Sequence, residues 1–300
     1  MNTPVTSSAP VKFTPSGTDT NGPWHEGEIH MQKLVGVDER MAEVGKRVLR
    51  DHLIDQHRQF YPQLPFAVFG VVDDNGDVWA TLRANHPGFL HSPDPYQLAV
   101  DIPRDPTDPA DAGMDDGKAI GMIGIELHTR RRNRLNGTIV RQSDTGFAIR
   151  VGHSFGNCPQ YIRLRDFEFA QDPAVASASV AETSSALDDR ARAMITKADT
   201  FFVATYVDRD DVDGKTREVD VSHRGGKAGF VRIDTDGSLT IPDFAGNLFF
   251  NTPARRKFLT PPARRSLPDT PTPACRRSRR RLQRPVSEIF LPLIIHHPPP

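Results

Sequence analysis

Apolar and polar positions alternate along the chain in segments short enough to be strands, with few stretches of helical period. Val37 to Tyr61 is the clearest of the latter: Met41, Val44, Val48, Leu49 and Leu53 recur at helical spacing, and Asp38 and Glu39 near its start suit the helix dipole. The spacing predicts one amphipathic helix. Leu64 to Val72 (LPFAVFGVV) is then a strand-length apolar run. It ends at Asp73-Asp74-Asn75-Gly76, a strong turn, and Val78 to Leu82 (VWATL) returns as the second arm of a β-hairpin. Three more strands are predicted at Ala119–Leu127, Asn136–Arg141 and Thr145–Val151, followed by a short helical segment near Pro159–Arg165. About six strands make a small barrel.

The same order recurs later. Ser185 to Asp199 reads as a helix with a capping Ser185 and an acid at Asp188, and Thr200 to Val207 (TFFVATYV) follows it as a strand. Phe66, Val68, Val72 and Asp73 match Phe201, Val203, Val207 and Asp208 at a constant offset of 135. After a longer turn in the second copy, Arg83, Gly88, Phe89, Leu98 and Val100 match Arg224, Gly229, Phe230, Leu239 and Ile241 at an offset of 141. Two constant registers point to a duplicated unit.

Length and composition narrow the class. Three hundred residues with 37% hydrophobic and 25% charged positions suit a soluble chain of two ordinary domains, and no apolar run reaches the roughly 20 residues of a membrane helix. Residues 1–23, rich in Ser, Thr, Pro and Gly, lack the basic start and apolar stretch of a secretory signal. They are expected to be a disordered leader on a cytoplasmic protein. Two cysteines, Cys158 and Cys275, supply neither a disulfide framework nor a zinc site. The histidines lack ligand spacing, so no metal is expected.

The net charge of zero conceals an asymmetry. Thr252 to Pro300 holds eleven Lys and Arg against two Asp and Glu, a net +9, and eleven of the 26 prolines; the rest of the chain is −9. Such proline density opposes both helix interiors and central strands, so 253–300 is expected to be a disordered tail. Nucleic-acid binding through it is a minor reading.

The segment richest in candidate chemistry is Asp220 to Phe230 (DVSHRGGKAGF). Ser222, His223, Arg224 and Lys227 stand at a strand's end, and Gly225 and Gly226 would let backbone approach an anion. By residue type alone a solvated, positively charged turn is the blander alternative, and spacing does not decide between them. Arg130, Arg131, Arg132 and Arg134 (TRRRNR) divide similarly between a solvated turn and an anion contact across a domain interface. Cys158 reads as a structural cysteine rather than a redox thiol.

VSHRGGKAGFVRID followed by LTIPDFAGNLFFNT resembles the FMN-binding segment of pyridoxamine 5'-phosphate oxidase-like split-barrel proteins. DQHRQFYPQLPFAVFGVVDDNGDVWATL, GIELHTRRRNRLNG and SFGNCPQYIRLRDF resemble segments of the bacterial branch with two tandem barrels, so the resemblance spans about residues 24–252. It implies an α+β fold of two tandem FMN-binding split β-barrel halves, at 24–180 and 181–252. It also implies FMN held by Ser222, His223, Arg224 and Gly225 on one strand and Pro242, Asp243 and Asn247 on the next, with Arg224 on the phosphate and subunits paired as a homodimer. The activity implied is that of an FMN-dependent oxidoreductase, with a non-catalytic flavin carrier or a truncated, inactive product as alternatives; no catalytic side chain is specified. The pattern stops within one residue of Thr252. A shifted reading frame and a genuine basic tail both account for that stop, and either leaves the second half without its closing strands.

Overall fold

A computed structural model of the chain describes residues 23–156, 158–175, 186–211, 214–244, 246–251, 278–282 and 289–290. The leader up to residue 22, Ser185 and most of the tail lie outside the described residues.

Where one amphipathic helix is predicted there are two, α2 (Asp38–Val48) and α3 (Asp55–Phe60), and they are preceded by an unexpected α1 (Glu26–Leu34). The break has a physical cause. Arg50 forms a β-bridge with Ser154 and the Leu53 N–H donates to the Pro95 carbonyl, so the chain is tied to neighbouring backbone across residues 50–53. Helix α1 is closed by His25, whose Nδ1 accepts from the Gly27 and Glu28 N–H groups while Glu28 accepts from the His25 N–H. That is a capping box with a histidine in the place of serine.

The predicted hairpin is present as β1 (Phe66–Val72) and β2 (Val78–Ala84). Asp73 shapes its turn by accepting from the Asn75 and Asp77 N–H groups, and Gly76 takes a φ of 84° that favours glycine. Then follow β3 (Leu90–His91), β4 (Gln97–Val100), β5 (Ala119–Glu126), β6 (Arg131–Val140) and β7 (Phe147–Gly156). These seven strands form one antiparallel sheet in the order β2-β1-β5-β6-β7-β4-β3, a large curled half-barrel. A register shift between Asn136 and Gly137 bends β6.

Helix α4 (Asp189–Lys197) is shorter than predicted and is capped by Asp188, whose carboxylate accepts from the Ala191 N–H. It leads into the long hairpin of β8 (Thr200–Asp211) and β9 (Gly214–Gly225), and then β10 (Arg232–Ile233) and β11 (Leu239–Asp243). Two short strands from the basic tail differ from the expected bare edges: β12 (Ser278–Leu282) pairs with β11, and β13 (Ile289–Phe290) pairs with β8. Both repeat offsets thus fall on matching elements, a hairpin followed by a short two-strand pair. The helical segment predicted near Pro159–Arg165 is instead a turn at 160–161 followed by irregular chain.

Two apolar layers sandwich the large sheet. On one face Phe60, Tyr61, Leu64, Phe69, Met122, Leu135 and Ile149 pack together. On the other, Val68, Val72, Ile123 and Ile125 meet Phe202, Ala204, Val219 and Val221 of the β8–β9 hairpin. Strand β1 is buried on both faces, and this is why its sequence is a continuous apolar run rather than an alternation. Each such fully buried side chain contributes about 1.5–3 kcal/mol. Close approach of hairpin to sheet depends on Gly121, where a Cβ would stand 2.8 Å from both the Asp220 Cα and the Val219 carbonyl oxygen.

Candidate functional site

Strand β9 is a free edge of its own sheet, which runs β13-β8-β9, and β6 of the large sheet supplies what that edge lacks. Alternate residues of β6 reach it. Arg134 donates from Nε to the Val221 carbonyl at 3.0 Å, ion-pairs with Asp220, and also donates to Ser222 Oγ. Its Nη1 donates to Asn251 Oδ1 at 3.0 Å, and Asn251 in turn donates to Glu28 Oε1 at 2.7 Å. Asn136 donates to Asp220 at 3.5 Å. Every one of these side chains is buried. The fold thus supplies a carboxylate for Arg134 and an arginine for a backbone carbonyl that the strand edge exposes.

Two residues along β6, on the same face, Arg132 has no such partner. Its Nη1 donates to His223 Nδ1 at 3.4 Å, its Nε is buried without a hydrogen bond, and it makes no ion pair with a carboxylate among the described residues. Burial, then the nearby cations Arg134 and Arg224, depress its pKa to about 10; the Cys158 thiol is the one group acting the other way. Arg224 is partly buried and its guanidinium makes no hydrogen bond or ion pair among the described residues. Burial lowers its pKa too, against the opposing pull of Asp243 and Asp220. His223 is held well below the ordinary histidine range by burial and by Arg132, Arg224 and Arg165. The ring is therefore neutral and accepts at Nδ1, which leaves its proton on Nε2.

Other arginines nearby are matched. Arg163 and Arg165 both pair with Asp199, and Arg163 also donates to the Gly226 carbonyl. Among the described arginines that act on His223, Arg132 and Arg224 are partly buried with no acid in contact, whereas Arg165 is paired. Two like charges held together in a partly desolvated place are unfavourable in the free protein and favour an anion between them.

The site residues expected from the sequence fall into two groups in the fold. His223 and Arg224 stand in the cationic cluster, and Asp243 at the end of β11 lies close enough to act on Arg224. Ser222 is engaged with Arg134 and Asp220 inside the protein. Gly225 is filled by protein: a Cβ there would collide with the Tyr161 carbonyl, and one on Gly226 would stand 2.6 Å from the Phe230 ring. The two glycines therefore admit neighbouring chain, where the sequence suggested room for an anion. Pro242 lies on β11, and Asn247 shapes its own turn by accepting from the Phe249 N–H.

By sequence Arg132 reads mainly as part of a solvated turn. The turn is at residues 127–130, with Arg130 at a φ of 62°, and β6 already runs from Arg131. No periodicity signals this, because Arg132 and Arg134 break the apolar alternation that marks a strand. Among the described residues no group of three or more His, Cys, Asp or Glu is placed to hold a metal ion. No helix there is long and apolar enough to cross a membrane.

No family model matches the chain, and no curated protein matches it. Among solved structures, crystal structures of Group A Streptococcus HupZ overlap part of it. A single-site variant of HupZ aligns with a TM-score of 0.29 and 12% identity, over 35% of this chain and 98% of its own. HupZ itself gives a TM-score of 0.28 and 13% identity, over 35% and 93% of the two chains.

Proposed function

We propose that the chain binds a phosphate-bearing small molecule at Arg132, His223 and Arg224, and that this ligand is FMN. The observation that carries the reading is the pair of unmatched arginines around a neutral histidine. Phosphate offers each guanidinium two oxygens, and His223 can donate through Nε2. FMN is the member of this ligand class favoured by the resemblance of the 221–252 segment to flavin-binding split barrels, with the equal element order at both repeat offsets in support of two related halves. In this reading Arg132 comes from the first half and His223 and Arg224 from the second. Bound flavin would supply the redox chemistry; the chain's residues bind and orient it and exclude water.

The absorbance spectrum of the purified protein, with FMN titrated by fluorescence, tests this. Flavin absorbance in the parent and a loss of about tenfold or more in affinity for Arg224→Ala are expected, the scale of one charge-assisted contact. A parent that neither carries nor takes up FMN would exclude the cofactor, and a parent that also ignores inorganic phosphate would exclude the site.

A further inference from the structure

Beside the cationic cluster stand two aromatic rings that the apolar cores do not use. Tyr161 and Phe244 stack on one another with centroids 5.0 Å apart and planes 30° apart, yet remain 43% and 40% exposed. Each is tied to the cluster by chain. The Tyr161 carbonyl packs onto Gly225, the residue after Arg224, and Phe244 follows Asp243, whose charge acts on Arg224. Tyr161 also holds a left-handed backbone at a φ of 66°, a conformation bulky residues rarely adopt. Glycine or asparagine would occupy that position with less strain, yet a tyrosine stands there with part of its ring surface exposed. Outliers of this kind gather at ligand sites.

We infer that Tyr161 and Phe244 form a platform for a planar ring, so that the site takes a phosphate ester carrying an aromatic ring in preference to phosphate alone. This rests on the reading of the cationic cluster as a phosphate site, and extends it to ring recognition. Aromatic faces attract a stacked ring beyond the area they bury, and the two side chains come from separate segments of the chain that meet at this stack. Their mutual contact leaves part of each ring exposed, and a third ring can extend the stack.

Two probes, inorganic phosphate and FMN, separate the subsite from the site when titrated by calorimetry into the full chain. The parent is expected to bind FMN at least about tenfold tighter than phosphate. Tyr161→Gly combined with Phe244→Leu is expected to reduce that preference to about threefold or less, to leave phosphate affinity unchanged, and to abolish quenching of flavin fluorescence. Arg132→Gln lowers both affinities together. Glycine suits the left-handed position, so Tyr161→Gly alone is expected to keep or raise the melting temperature, which separates lost binding from lost folding. FMN affinity unchanged in the double variant would overturn the platform, as would phosphate affinity that falls in step with it. A parent that binds phosphate without preference for FMN overturns the platform and spares the site; a parent that binds neither overturns both.

Discussion

Arg134 of the large sheet and Asp220 of the β8–β9 hairpin form a buried ion pair, and the aspartate is fully inaccessible to solvent. The pair joins two layers that also meet through apolar contacts and through hydrogen bonds from Arg134 and Asn136, and it fixes the position of β9 against β6. Removal of one partner strands the other charge in the interior. Arg134→Met or Asp220→Leu should therefore cost about 3–5 kcal/mol in urea denaturation, while the double change should recover much of that loss. Single variants with unchanged midpoints would show that the pair is not desolvated in solution.

Gly121 offers a second test of that junction, independent of charge. An added Cβ meets backbone atoms of Asp220 and Val219 at 2.8 Å, and backbone cannot swing aside as a side chain can. Gly121→Ala should destabilise by about 1–3 kcal/mol through overpacking. Gly156→Ala is the control, with a nearest neighbour at 3.6 Å, the Asn133 Oδ1 of a side chain. Equal effects from the two would mean that the hairpin does not sit tightly on β5.

The hairpins and the two-faced burial of β1 were legible because apolar content and turn chemistry agree there: Val68 and Phe69 are both apolar, and Asp73 to Gly76 can only turn. What escaped was written in charged residues. Arg131 to Arg134 resemble a solvated loop in every local respect. They become strand only because Asp220 and the Val221 carbonyl, more than eighty positions away, neutralise Arg134. Helix α1 escaped because His25 caps it with a ring nitrogen, which cap preferences built on serine, threonine and aspartate do not anticipate. For the candidate site, His223 and Arg224 could be picked from sequence, but their cross-sheet neighbour Arg132 could not be assigned to them.

His57 makes stability depend on pH. It is buried, its Nδ1 lies 2.9 Å from Ser154 Oγ, and burial, with Arg50, Arg131 and His52, lowers its pKa to about 4. The unfolded chain binds the proton near pH 6.5, so between about 6.5 and 4 the unfolded state holds more protons than the folded one. The contribution is complete above pH 6.5 and falls as pH drops towards 4, by about 3 kcal/mol in all. Denaturation midpoints from pH 7.5 to 4.5 should show this decline in the parent and a shallower one in His57→Gln. Parallel pH profiles would assign the decline to other groups.

Arg132 should behave oppositely to Arg134, although both are arginines on one face of β6. Arg134 is matched by Asp220, so its loss removes a satisfied interaction; Arg132 carries a charge that burial and two neighbouring arginines disfavour. Relief of that charge should stabilise the ligand-free protein, by about 1 kcal/mol once solvent screening of a partly exposed group is allowed for. In phosphate-free buffer Arg132→Gln should raise the denaturation midpoint, and Arg134→Gln should lower it. If phosphate binds at the proposed site of the folded state, its addition should stabilise the parent and close or reverse its gap to Arg132→Gln. Stability given up at a site and restored by its ligand is the pattern expected of a residue kept for binding. If Arg132→Gln instead destabilises as strongly as Arg134→Gln, with no response to phosphate, Arg132 holds the fold together and the anion belongs elsewhere.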